Sequence, residues 1–130
     1  MKDRNATIEE ARYLKSIYKT EDAIELLSGL ISPGQIDEEV QNELADCYIQ
    51  AGDLDAAAST YSTLLMMKPE SILYRIKLML TTYRSKDYKS SSELGLSIIK
   101  RDTIPAIVSL TADSFNMMAM PDSALIYYNM

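Results

Sequence analysis

The sequence predicts an all-α protein, an α-solenoid of antiparallel helix hairpins running to about three and a half repeats. Three observations lead there. In the stretch Glu38–Ser71, apolar and small residues recur at helical spacing: Leu44, Ala45 and Tyr48 lie on one face, and Ala57, Tyr61 and Leu64 on another. Gly52 separates the two runs, and worn copies of the pattern precede and follow them. The composition favours helix over sheet, with only four Gly and four Pro among 130 residues.

In the central unit, Gly52 ends the first helix and Asp53 is placed to cap the second. Pro69 stops that second helix, and Ser71 is placed to cap the next one. Ala45 and Ala57, one on each helix, allow close approach, and Tyr48 and Tyr61 fill the space on either side. Leu44-Ala45, Tyr48, Gly52, Ala57, Tyr61 and Pro69 resemble the signature of the tetratricopeptide repeat family, whose period is about 34 residues. Gln41 stands where that family usually has a bulky aromatic. The resemblance implies a right-handed superhelix of paired helices, here one domain over residues 1–130 with units near 4–37, 38–71, 72–104 and a truncated 105–130.

Shifting by one period places Ala11, Leu14, Ala23, Leu27 and Leu30 at the matching positions of the first unit. Thr20 is expected to cap its second helix, ahead of Glu21 and Asp22. Tyr18 stands where the turn glycine should be, and Ser32-Pro33-Gly34 supplies the exit turn. In the third unit Leu78, Met79, Ser91 and Ile98 follow the pattern, and Asp87 is the expected cap. There Thr82 replaces Tyr48 and Gly95 replaces Tyr61. A mid-helix glycine costs about 1 kcal/mol, so Tyr83, Tyr88 or Leu94 is expected to make good the missing ring, and this unit to be the most distorted or mobile. In the fourth unit Ala112, Phe115, Ala124 and Tyr128 restore the alternation, with Met118-Ala119-Met120 as the turn and Pro121 opening the last helix. Leu125, Ile126, Tyr127 and Tyr128 then leave an apolar end without a capping helix. That ending is expected of a fragment of a longer protein, or of an end-to-end homodimer through the last helix.

No apolar run approaches the ~18 residues that cross a bilayer, and MKDRNATIEE carries no apolar segment behind its charges. A cytoplasmic location is the default expectation, periplasmic or extracytoplasmic if a leader has been removed. Cys47 is alone, which excludes a disulfide framework, and it reads as a small buried residue facing the second helix of its unit. The absence of histidine removes the commonest general base and most metal sites. No Gly-rich phosphate loop is present. Glu9-Glu10 and Glu38-Glu39 suit first helical turns, and Ser90-Ser91-Ser92, lacking a base partner, suits packing or surface. Neither a cofactor, a metal nor catalysis is expected.

The net charge of −6 conceals segregation. From Thr20 to Met67 there are ten acids and no Lys or Arg, whereas Lys68–Arg101 holds eight bases against three acids. These zones are either solvated outer surfaces or a means of steering a charged partner. The acidic total argues against nonspecific nucleic-acid binding.

The family geometry implies a concave groove lined by the first helix of each hairpin. Carried over, its lining residues are Ile8, Arg12 and Lys15, then Glu39, Asn42, Asp46 and Gln50. Leu73, Ile76, Leu80, Tyr83 and Arg84 follow from the third unit, and Ser109, Asp113, Asn116 and Met117 from the fourth. In the third set Leu73, Ile76, Leu80 and Tyr83 make an apolar stripe beyond the one that Leu78 and Met79 bury. That stripe is either a docking surface for a peptide or packing against Ile49 and Met117. Some members of the family grip a C-terminal carboxylate with a clamp of Lys, Asn and Arg side chains. Arg12 and Asn42 match part of that clamp, but apolar Leu73 and Ile76 stand where its bases are needed. The expected function is a non-catalytic scaffold that binds a protein or peptide partner on the concave surface. The alternative is the helical-repeat regulatory part of a longer enzyme or regulator.

Overall fold

The computed structural model describes residues 3–130, and among these every regular element is helical. The eight helices are α1 (Arg4–Ser16), α2 (Thr20–Ser28), α3 (Glu38–Ala51), α4 (Leu54–Met67), α5 (Ile72–Arg84), α6 (Tyr88–Ile99), α7 (Pro105–Met117) and α8 (Pro121–Tyr128). They pack as successive hairpins, α1 on α2, α3 on α4, α5 on α6 and α7 on α8. Two compact units result, one ending at Pro69 and one spanning Glu70–Met130. Of the charged start, Met1 and Lys2 lie outside the described residues.

Local chemistry fixes the helix starts. Asp3, Asp37 and Ser71 cap α1, α3 and α5, their side-chain oxygens accepting from the amides of Ala6, Val40 and Tyr74. Asp53 and Asp87 do the same for α4 and α6. α7 and α8 begin instead with a proline, whose missing N–H is one the first turn would leave unbonded. Thr20 is not a cap. It is the first residue of α2, after Lys19, and its hydroxyl donates to the Gln50 side chain on α3.

All four hairpins turn by one device. At Tyr18, Gly52, Lys86 and Ala119 the backbone is left-handed, with φ of 61°, 78°, 68° and 57°. The next amide in each case, of Lys19, Asp53, Asp87 or Met120, donates back to the carbonyl of Leu14, Tyr48, Thr82 or Phe115 at 2.8–2.9 Å. This is the Schellman closure, which satisfies carbonyls that a helix end would otherwise expose. Glycine is the residue suited to the conformation, but only the second hairpin has it.

The core of the first unit joins Ile8 and Ala11 of α1, Ala23 and Leu27 of α2, and Val40, Leu44 and Cys47 of α3, with Leu14, Leu26 and Tyr48 packed around them. Cys47 is thus buried, in a core shared with the preceding hairpin, and burial pushes its thiol pKa up. Ile8 belongs to this core, not to an open surface, because its position on α1 points it at α2 and α3. Ala45 and Ala57 are both fully buried within α3 and α4.

In the second unit the core is Met79, Ile98 and Ile107, surrounded by Ile76, Leu94, Ile99, Ile104 and Leu110. Of the three residues expected to compensate for Gly95, Leu94 packs against this core. α6 runs unbroken through Gly95. A Cβ at Gly95 would stand 2.0 Å from Thr111 Oγ1 and 2.8 Å from Met79 Cε. The space is therefore filled by Met79 from α5 and Thr111 from α7. Ser91 and Ser92 are buried packing residues, Ser91 sharing a 2.7 Å hydrogen bond with Ser114 of α7.

Candidate partner-binding face

In the first unit, the polar residues carried over to the groove pair with one another. Arg12 on α1 donates to Glu43 and Glu39 on α3, each at 2.9 Å, and to Glu9 at 2.7 Å. Lys15 reaches Glu43 at 3.2 Å and Asp46 at 3.6 Å. One helix end away, Arg4 bridges Asp37 and Glu39. Gln50 donates to the Lys15 carbonyl, and Asn42 donates to the Glu38 carbonyl one turn back. The acidic block of the sequence is therefore partly neutralised on its α3 side by bases that precede it in the chain. On α2, Glu21, Asp22 and Glu25 remain exposed.

The ladder shifts its members in the direction that ionic pairing requires. Burial works to raise the Glu43 pKa, but hydrogen bonds and charge from Arg12 and Lys15 outweigh it and bring Glu43 below the ordinary value of 4.5. Asp37 is lowered chiefly by its hydrogen bond from Arg4. Burial opposes the charge on Lys15, yet Glu43 and Asp46 raise its pKa.

The second unit differs. The structure divides the apolar stripe of α5. Leu73 and Leu80 are 57% and 45% exposed, while Ile76 joins the Met79 core and Tyr83 is half-buried. Tyr83 meets Tyr88 of α6 edge to face, ring centres 5.5 Å apart. Burial, then the nearby Asp113 charge, raises the Tyr83 pKa. Asp113 of α7 accepts a hydrogen bond from the Tyr128 hydroxyl of α8, and that bond raises the Tyr128 pKa. Tyr83 and Asp113 are thereby brought into one cluster with Tyr88 and Tyr128. Those two partners were missed by sequence reading, which followed first helices only. Arg84, Asn116 and Met117 are exposed around it, and Ser109 lies exposed further along α7.

Among the described residues no group of three His, Cys, Asp or Glu is placed to hold a metal, and no helix is long and apolar enough to cross a membrane.

No curated protein matches the sequence. Solved structures do resemble this fold. A crystal structure of MamA protein superposes with a TM-score of 0.77 at 14% identity, over 96% of this chain and 69% of that one. MamA MSR-1 gives 0.72 at 16% identity, over 97% and 71%. A tetratricopeptide repeat protein from Parabacteroides merdae gives 0.65 at 19% identity, over 97% of this chain and 50% of that one, so this chain spans half its length. At such identities the likeness is one of fold. By sequence, residues 18–79 match the tetratricopeptide repeat family. That stretch is tetratricopeptide repeat sequence, and the helical hairpins around it have the tetratricopeptide repeat fold.

Proposed function

We propose that the chain is a non-catalytic interaction scaffold that receives a protein or peptide on the first-helix face of its second unit. One observation carries this reading. Helix α5 exposes Leu73 and Leu80 on the side away from its core residues Tyr74, Leu78 and Met79. A helix packed on one side ordinarily presents polar groups to water on the other. Two leucines with about half their surface in water form an apolar strip that a partner would cover. Tetratricopeptide folds serve as protein-interaction scaffolds, which agrees with this use. The first unit offers a different surface, in which Arg12 and Asp46 are engaged in the ion-pair ladder.

The test is a pair of variants. Leu73→Ala with Leu80→Ala should weaken binding of a partner recovered with the native chain at least tenfold, while far-ultraviolet circular dichroism and the melting temperature stay nearly constant. Tyr83→Ala should instead lower stability, because it removes the contact with Tyr88. Unfolding of the leucine double variant would make those residues core and end the docking reading.

A further inference from the structure

We infer that the segment received on α5 is acidic, with apolar side chains about 10 Å apart. This rests on the docking reading and adds the chemistry of the occupant.

Three residues of α5 are exposed, Leu73, Leu80 and Arg84. With Lys77 they follow at spacings of four, three and four, so they lie on one narrow stripe. The seven residues between the leucines correspond to about 10 Å along a helix. Bases alternate with them, Lys77 between the two leucines and Arg84 one turn beyond the second. Lys86 and Lys89 are exposed just past the end of the helix. Among the described residues, Arg84, Lys86 and Lys89 take part in no ion pair. Asp113, the acid on α7 that approaches Tyr83, is occupied by the Tyr128 hydroxyl.

The rest of the chain provides the contrast. Up to Pro69 there are six bases and thirteen acids, and the bases of α1 are held by the acids of α3. From Glu70 onward there are seven bases and six acids. In a molecule with a net charge of −6, Arg84, Lys86 and Lys89 thus stand without an ion pair close in sequence to the exposed Leu80. Complementary charge around an apolar strip sets which partners are accepted and how fast they arrive.

Three synthetic peptides test this against the full chain by fluorescence anisotropy. Each carries two leucines seven residues apart, with glutamate, glutamine or lysine at the intervening positions. The glutamate peptide should bind at least tenfold tighter than the glutamine peptide at low salt, and lose that advantage at about 0.5 M salt. Arg84→Glu should abolish the preference with helicity unchanged, and Arg84→Gln should halve it on a logarithmic scale. Equal binding of the glutamate and glutamine peptides, or a preference for lysine, overturns the acidic assignment while Leu80-dependent binding upholds the docking site. If none of the three binds in a Leu80-dependent way, both fall.

Discussion

The second hairpin, α3–α4, and the third, α5–α6, solve one packing problem in opposite ways. In the second, α3 contributes the small residue, Ala45, and α4 the large one, Tyr61; both are buried. In the third, the matching positions hold Met79 and Gly95, so bulk comes from α5 and α6 gives way. The space is filled in both although neither residue is shared, and in the third hairpin Thr111 of α7 fills part of it. What the repeat demands is a filled interior at close helix approach, and either helix can supply it. The two differ in charge as well: α3 carries carboxylates matched to α1, whereas α5 presents unpaired Arg84 beside exposed leucines.

The largest effects should come from disturbing this packing at Gly95 and at Met79. Gly95→Ala gains helix propensity of about 1 kcal/mol, but its Cβ would collide with Thr111 Oγ1 and crowd Thr111 Cβ at 3.0 Å. Overpacking of this kind costs about 1–3 kcal/mol, and the collision is severe enough to place it at the upper end. A net loss of about 2 kcal/mol in urea unfolding is expected. Thr111→Ala added to it should restore part of that loss, since the Thr111 hydroxyl bonds only to the Ile107 carbonyl one turn back. Met79→Ala should cost about 3 kcal/mol by opening a cavity. In the second hairpin Ala45→Met should be destabilising alone and less so with Tyr61→Gly. Simple additivity in both cycles would mean that the two hairpins are not exchanging volume.

A smaller effect separates the charged faces. Glu43 has its pKa below the ordinary 4.5, so its pairing stabilises the fold fully above that value and loses this contribution as pH falls through the folded-state value. Glu43→Gln should cost about 1 kcal/mol at pH 7, because Arg12 and Lys15 keep Glu39 and Asp46 as partners. The gap between the native chain and the variant should shrink as the pH is lowered from about 6 to 3, measured by thermal melts. A gap independent of pH would show that Glu43 acts through packing. Arg84→Gln, at the other face, should leave stability unchanged across that range.

Much of this was legible in the residues. Helix starts at Arg4, Glu38, Ile72 and Pro105 follow from caps, prolines and a recurring small–large alternation, all local signals. What was not legible turned on contacts distant in sequence. Thr20 donates to Gln50 rather than to its own helix. Cys47 and Ile8 are claimed by the α1–α2–α3 core. The acidic block is answered by Arg4, Arg12 and Lys15, which a count starting at Thr20 leaves out. Gly95 reads as a defect until Thr111, on another hairpin, is seen against it. The α5 stripe was visible, but periodicity could not divide Leu73 and Leu80 from Ile76 and Tyr83, since only the neighbouring helices decide which side is covered.

The hairpin turns give the finest comparison. Gly52 and its three counterparts share one backbone conformation and one hydrogen-bond pattern, so they differ only in side chain. A side chain in the left-handed region costs about 1–2 kcal/mol, partly offset because glycine loses more chain entropy on folding, about 0.5–1 kcal/mol. Tyr18→Gly and Lys86→Gly should each therefore raise stability, by about 0.5 kcal/mol. Tyr18 is 80% exposed, so little packing is lost with its ring. Gly52→Ala should lower stability by about 1 kcal/mol although a Cβ there meets nothing within 4 Å, because the cost lies in the backbone and not in a clash. Gly95→Ala is the mirror case, with an ordinary helical backbone and no room. If Tyr18→Gly proves destabilising, the exposed tyrosine is making contacts that the left-handed turn was tolerated to keep.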